Sequence, residues 1–311
     1  MFGVALPVTI EHVRALMILL AVQVVLGGTF IVLSATGNIP FVGDGDNAGA
    51  AGPVSRPGPD RFDSEAAFSS VRRQVALGPR PAGSRTSREL ARRIRRALPG
   101  GRFQAVPGGL RNVIGRVPGK DPDRVVVVGA HYDTKDAPGF VGANDGAAGV
   151  AVMTGVARAL KPRRLRSTVV FIAFDGEESP RGTPDELFEQ EGLRGSKAAA
   201  PRYSGARAMV LLDFVGEKGL RVPYEDLSDP GLWKKLRAAS RRAGVAEVFP
   251  PGSQGGISDD HVPFLRQGVP SIDLIDFDYS CFHRRCDDLS KISERSLDAV
   301  GETILELLPT L

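Results

Sequence analysis

Four short runs of the chain are apolar with almost no polar alternation: residues 125–130 (VVVVGA), 168–174 (TVVFIAF), 208–212 (AMVLL) and 271–275 (SIDLI). Runs of this length and type predict strands covered on both faces. Apolar residues recurring every three to four positions predict helices over 64–76, 88–96, 146–160, 193–200, 230–243 and 294–308. Shorter strands are expected at 103–106 and 112–117. From 112 onward strand and helix alternate, which predicts an α/β domain with a mixed, mainly parallel sheet between helices.

The amino-terminal region has a different pattern. Residues 15–35 (ALMILLAVQVVLGGTFIVLSA) are apolar apart from Gln23, long enough to cross about 30 Å of hydrocarbon. Residues 37–60 are rich in Gly, Pro and Asp and read as a flexible linker. The expected organisation is a cytoplasmic amino terminus (1–14), a transmembrane signal anchor (15–36), the linker (37–60) and one catalytic domain (61–311). Arg14 before the span and Asp44 and Asp46 after it place the domain outside the cytoplasm. A cleaved, secreted form is the alternative.

Composition narrows the function. Of 311 residues 42% are hydrophobic, enough for one sizeable core, and the net charge is +4. The arginines of 88–96 (RELARRIRR) face away from an apolar stripe and lack interleaved aromatics, so a solvated helix face is expected rather than a nucleic-acid surface. No obligate protein partner is evident.

Chemistry collects at the strand ends, where open α/β sheets place their ligand sites. His131 follows the first strand, with Asp133 placed to hold and aim its ring. Asp145 lies at the start of a helix, where capping is the plain alternative. Glu177 and Glu178 close the second strand, and adjacent buried carboxylates require a cation to offset their repulsion. Asp213 ends the third strand, and His283 sits in the loop CFHRRC. Its flanking Cys281 and Cys286 either form a disulfide clamping that loop, as an oxidising compartment permits, or remain two thiols. Asp259, Asp260 and His261 form a further acidic and imidazole group, with an N-cap and a satisfied loop histidine as the alternative. Two histidines with several carboxylates match the ligand set of hydrolytic Zn2+, for which manganese or cobalt can substitute.

The ordered motifs HYD (131–133), GANDGAAG (142–149), FDGEE (174–178), LLD (211–213) and FH…DD (282–288), with the loop GPRPAGS (78–84), resemble the co-catalytic zinc exopeptidase family, metallopeptidase family twenty-eight. The resemblance runs from about Phe62 to the carboxyl terminus and implies a three-layer fold with about eight strands. It implies a zinc aminopeptidase acting on peptides with a free amino terminus. His131 and Asp213 would hold one zinc, Glu178 and His283 the other, with Asp145 bridging and Glu177 as general base. The insert 179–192, the doubled Asp259-Asp260 and the segments HYDTK and LLDFVG are similar instead to the glutaminyl cyclase branch. That branch binds one zinc, here through Asp145, Glu178 and His283, with Asp213 and Asp259 in an acidic network. The tryptophans of the cyclase pocket have no counterpart: Phe282 stands beside His283, and the single Trp is Trp233, on an expected helix.

Overall fold

The computed structural model describes residues 52–311. The expected cytoplasmic segment, membrane anchor and first part of the linker lie outside the described residues. Among the described residues no helix is long and apolar enough to cross a membrane.

Helix α1 (Ser64–Val75) is capped by the Asp63 carboxylate on the Ala66 N–H, and α2 (Arg85–Ala97) by the Ser84 hydroxyl on the Ser87 N–H. Strands β1 (Arg102–Val106), β2 (Leu110–Val117) and β3 (Asp121–His131) follow, then α3 (Gly149–Ala159) and β4 (Ser167–Phe174). Two short helices, α4 (Phe188–Glu191) and α5 (Arg194–Ala199), precede β5 (Ala208–Leu212). Helix α6 (Pro230–Ala243), the short α7 (Val262–Arg266), β6 (Ser271–Leu274) and α8 (Glu294–Leu307) complete the domain. Their bounds follow the hydrophobic pattern closely, and α6 matches it at both ends.

The sheet has the order β1-β2-β4-β3-β5-β6, with β4, β3, β5 and β6 parallel and β1 and β2 antiparallel. Alternation along the strands builds both faces. Val126, Val128, Val210 and Leu212 join the core under α1, α2, α3, α6 and α8, whereas Val127, Met209 and Leu211 pack toward α5 and α7. The sheet therefore has six strands among the described residues, not about eight. Between Leu212 and Ser271 only lone bridges form, Glu217 with Ile292 and Tyr224 with Ser253. This stretch (GEKGLRVPYEDLSDPG) is broken by Pro, Gly and charged residues and cannot sustain a ladder.

The domain begins earlier than 61. Val54 is buried, the Ser55 N–H donates to Glu247, and the Gly58 N–H donates to the Ala243 carbonyl. Phe62 wedges against Gly155 of α3 and Gly301 of α8, each so close that a Cβ there would collide with its ring. The last part of the expected linker is thus stitched to the helical layer.

Glu302 on α8 is buried and accepts from the Phe62 N–H at 2.6 Å and from the Arg61 side chain at 2.7 Å. One turn before it, half-burial pushes the Asp298 carboxyl up to about 6, with Glu302, Asp60 and Glu294 adding and Arg56 opposing. The folded chain holds this proton more tightly than the unfolded chain. That stability is fully present below pH ~4 and is lost as pH rises through about 6. Asp298→Asn should flatten this fall and leave the protein about 1 kcal/mol more stable at pH 7, discounted for partial solvent screening. Urea unfolding at pH 4 and pH 7 measures it; equal pH dependence in both proteins would refute the assignment.

Candidate active site

The parallel strands β3, β4, β5 and β6 end along one edge of the sheet, and that edge carries the charged group. His131 is the last residue of β3, Glu177 and Glu178 follow β4, and Asp213 follows β5. Asp145 comes from the turn before α3, and His283 from the loop between β6 and α8. The capping alternative for Asp145 does not occur: the first turn of α3 has no side-chain cap, and Asp145 turns toward the histidines. This turn needs Gly146, at φ +89°, because a Cβ there would lie 2.9 Å from the Asp133 carbonyl oxygen and 3.2 Å from the His131 ring.

Five of the six residues form two overlapping triads, and Glu177 stands outside both. His131, Asp145 and Asp213 make an inner group, and Asp145, Glu178 and His283 an outer one; within each, one ligand atom per residue lies within 4.8 Å of the others. His131 Nε2 is 3.2 Å from Asp145 Oδ1 and 3.3 Å from Asp213 Oδ1. His283 Nε2 is 3.1 Å from Glu178 Oε1 and 3.5 Å from Asp145 Oδ2. Asp145 Oδ2 and Glu178 Oε1 are buried and face imidazole nitrogens with no other hydrogen-bond partner. Buried oxygens left bare beside imidazole nitrogens fit a shared divalent cation, with one carboxylate serving both triads.

Asp133 does something different from its expected task. Its Oδ1 is 3.8 Å from His131 Nδ1, too far for a hydrogen bond. Its carboxylate instead accepts the N–H groups of Gly176 (2.9 Å), Glu177 (3.2 Å) and Glu178 (3.3 Å). Asp133 therefore fixes the turn that aims the two glutamates apart: Glu178 toward His283, and Glu177 toward the open cavity beside His131.

Electrostatics separates the two glutamates further. Burial, with Glu178 and Asp259 adding, pushes the Glu177 carboxyl well above the usual range. Burial acts on Glu178 as well, but His283 and Lys135 outweigh it and hold that carboxyl low. Lys135 Nζ lies 3.1 Å from Glu178 Oε2. Burial opposes a charge on His131, yet Asp213, Asp133 and Asp145 hold its pKa well above the ordinary imidazole value. Burial lifts Asp213 to about 7 despite His131. Such splitting between neighbouring carboxyls is how one pocket obtains both a proton carrier and a charged ligand.

A cavity of about 360 Å3 opens onto the outer triad. Its walls include Phe188, Phe214, Phe277 and Phe282, with Glu177 and Asp259 at the charged end. Phe282 stacks on His283 at 3.8 Å between ring centroids and meets Phe277 at 5.1 Å. The expected insert supplies Asp185 and Phe188 to the wall, and Glu189 ties it down to Ser258 and Arg266.

Not every expected residue reaches the cavity. Asp259 lines it, whereas Asp260 is buried against the Ser196 hydroxyl. His261 faces away, its Nε2 3.2 Å from Glu225 Oε2. Neither aspartate caps α7, so the capping part of the alternative fails, whereas His261 is the partnered histidine it expected. Cys281 and Cys286 form a disulfide. Three neighbours were not among the expected residues: Lys135, Asp287 and Arg80. Asp287 accepts the N–H groups of Asn144 at 2.8 Å and Asp145 at 3.1 Å. Arg80 is fully buried, donating to the carbonyls of Gly78, Val141 and Gly142. A lone Arg within a Pro/Gly loop, and the first acid of the FH…DD motif, were the available signals.

Comparison with known proteins agrees with this arrangement. The chain is similar to the glutaminyl-peptide cyclotransferase of Bothrops jararaca, 28% identical over 221 residues, 58% of this chain and 60% of that protein. It thus spans about three fifths of the length of that curated relative. Among solved structures it is similar to Porphyromonas gingivalis glutaminyl cyclase (TM-score 0.72, 30% identity, 80% of this chain and 99% of that one). It is also similar to a Zn-dependent exopeptidase from Parabacteroides distasonis (TM-score 0.71, 26% identity, 81% and 99%). The model of peptidase family M28 matches residues 112–308, which include all six strand-end residues. The chain belongs to peptidase family M28.

Proposed function

We propose that this protein is a zinc-dependent glutaminyl cyclase, converting an amino-terminal glutamine of a peptide into pyroglutamate with loss of ammonia. The observation that carries the reading is the aromatic cavity at the outer triad, walled by four phenylalanines around Glu177. Cyclisation uses no water and hydrolysis competes with it, so apolar aromatic walls beside the proton carrier suit ring closure. The tryptophans of the cyclase branch have no counterpart here, and phenylalanines supply the aromatic walls of this cavity. The similarity to proteins named glutaminyl cyclases supports the same reading.

Asp145, Glu178 and His283 would hold the zinc, which supplies a Lewis-acid charge beside the side-chain amide. Glu177 takes a proton from the substrate's α-amine as that nitrogen attacks the side-chain amide carbonyl carbon (Cδ). The C–N bond to the amide nitrogen then breaks, and Glu177 returns the proton so that ammonia leaves. Asp259 and Asp213 are buried with raised pKa values, and Asp259 adds to the burial that raises the Glu177 carboxyl. The aromatic walls hold the substrate chain folded on itself, with the attacking nitrogen near the amide.

A zinc aminopeptidase is the second reading, favoured by the complete inner triad of His131, Asp145 and Asp213. A second cation there would give a two-cation hydrolytic site. The full-length chain, loaded with zinc and offered peptides beginning with Gln or Leu, separates the two. Ammonia release with an otherwise intact peptide is the expected result. Release of free leucine or glutamine would overturn the cyclase reading in favour of the peptidase.

A further inference from the structure

Of the three outer ligands, Glu178 stands on a turn fixed at a strand end by Asp133. The other two stand on loops. His283 adopts φ +52°, a left-handed conformation that a residue with a Cβ keeps only where its surroundings hold it. Its side chain is also the most exposed of the triad, at 29%.

What holds it is a set of ties between two loops. Asp287 reaches across to the Asp145 turn, accepting the N–H groups of Asn144 and Asp145, while its own carbonyl accepts the Ala143 N–H. The Tyr279 hydroxyl donates to the same carboxylate at 2.8 Å. Arg285 donates to the Pro138 carbonyl at 2.9 Å, and Phe140 sets its ring edge-on to His283. The Cys281–Cys286 disulfide closes a small ring around Phe282, His283, Arg284 and Arg285, directly before Asp287. Tyr279 and Asp287 thus flank the ring, and cutting the disulfide frees the segment between the two anchors. The inner ligands His131 and Asp213 sit at strand ends and share none of these ties.

We propose that Asp287 and the Cys281–Cys286 disulfide form a latch that sets the cation affinity of the outer triad, so that a dithiol reductant loosens this site. The proposal rests on the reading that Asp145, Glu178 and His283 hold a divalent cation. Cys281 is buried and Cys286 is exposed, which gives a thiolate access from the Cys286 side. One reductant thiolate attacks the Cys286 sulfur and displaces the Cys281 thiolate. The second reductant thiolate then resolves the mixed disulfide. The protein gains two electrons and two protons as two thiols, and the reductant leaves as its disulfide.

The test is zinc competition against a chromophoric chelator, on the full-length chain, before and after dithiothreitol treatment verified by a count of two thiols. The expected result is a zinc affinity about ten- to a hundredfold weaker after reduction, the range seen when groups holding metal ligands are lost. Reoxidation should restore it, with the melting curve showing a folded protein throughout. The double variant Cys281→Ser, Cys286→Ser should match the reduced state and ignore dithiothreitol, which excludes zinc capture by the freed thiols. Asp287→Asn should weaken zinc to a similar degree with the disulfide intact. Unchanged zinc affinity after verified reduction would overturn the latch while leaving the cation site standing. Failure of the oxidised chain to bind zinc would remove the site, and the latch with it.

Discussion

Glu177→Gln is expected to lower turnover by about 10² to 10⁴-fold while leaving zinc affinity within a factor of two or so. The carboxamide keeps the size and shape of the side chain but cannot accept a proton. The geometry explains why the two effects separate. Glu177 belongs to neither triad, and it faces the cavity with its oxygen 3.8 Å from the nearest His131 nitrogen. Glu178, one residue on, is in the outer triad and 3.1 Å from His283. A rate within tenfold of the parent on the best substrate would remove Glu177 from the proton-carrying role in either reading of the reaction. Loss of zinc along with activity would mean that it acts as a ligand instead.

The second large effect is expected at Asp145. It is the single residue common to both triads, offering Oδ1 toward His131 and Oδ2 toward His283. Asp145→Asn preserves the volume and removes the charge that a divalent cation requires at the shared position. Zinc affinity should fall by at least about a hundredfold, at the upper end for loss of metal-binding groups, and activity should fall with it. The substitution also changes the surroundings of the buried Arg80, whose burial lowers its pKa to about 10 against the support of Asp145, Asp287 and Asp133. Asp145→Asn removes one of those three supports, so a modest loss of thermal stability should accompany the loss of zinc. Retention of zinc at parental affinity, by the same chelator competition, would show that no cation is shared at Asp145.

The two predictions differ in what they probe. Asp145 tests whether the charged edge of the sheet is a cation site at all. Glu177 tests whether chemistry follows from it. Product analysis with glutaminyl and leucyl peptides then assigns that chemistry to ring closure or to hydrolysis.

The sequence by itself determined a good deal. Apolar runs without alternation located β3, β4, β5 and β6, because strands buried on both faces leave no polar position to confuse the pattern. The same runs placed His131, Glu177, Glu178 and Asp213 at strand ends, and parallel strands must end along one edge. Convergence of those four was therefore implied by topology before any distance was known. The motifs GANDGAAG and CFHRRC made Asp145 and His283 further candidates, with less force, since loops carry no register. It was the family resemblance that assigned them to the ligand set.

Tertiary structure decided the rest, because it depends on contacts between segments far apart in the chain. Only the folded chain shows that Asp133 holds the glutamate turn rather than His131, and that His261 pairs with Glu225 away from the cavity. It turned two cysteines into a disulfide beside a ligand, and the acid that follows them, Asp287, into the tie between two ligand loops. Among the described residues it reduced about eight strands to six, since a strand exists only where a neighbour completes its hydrogen bonds. Periodicity reports which face of an element is dry; it carries no record of which distant group lies against that face.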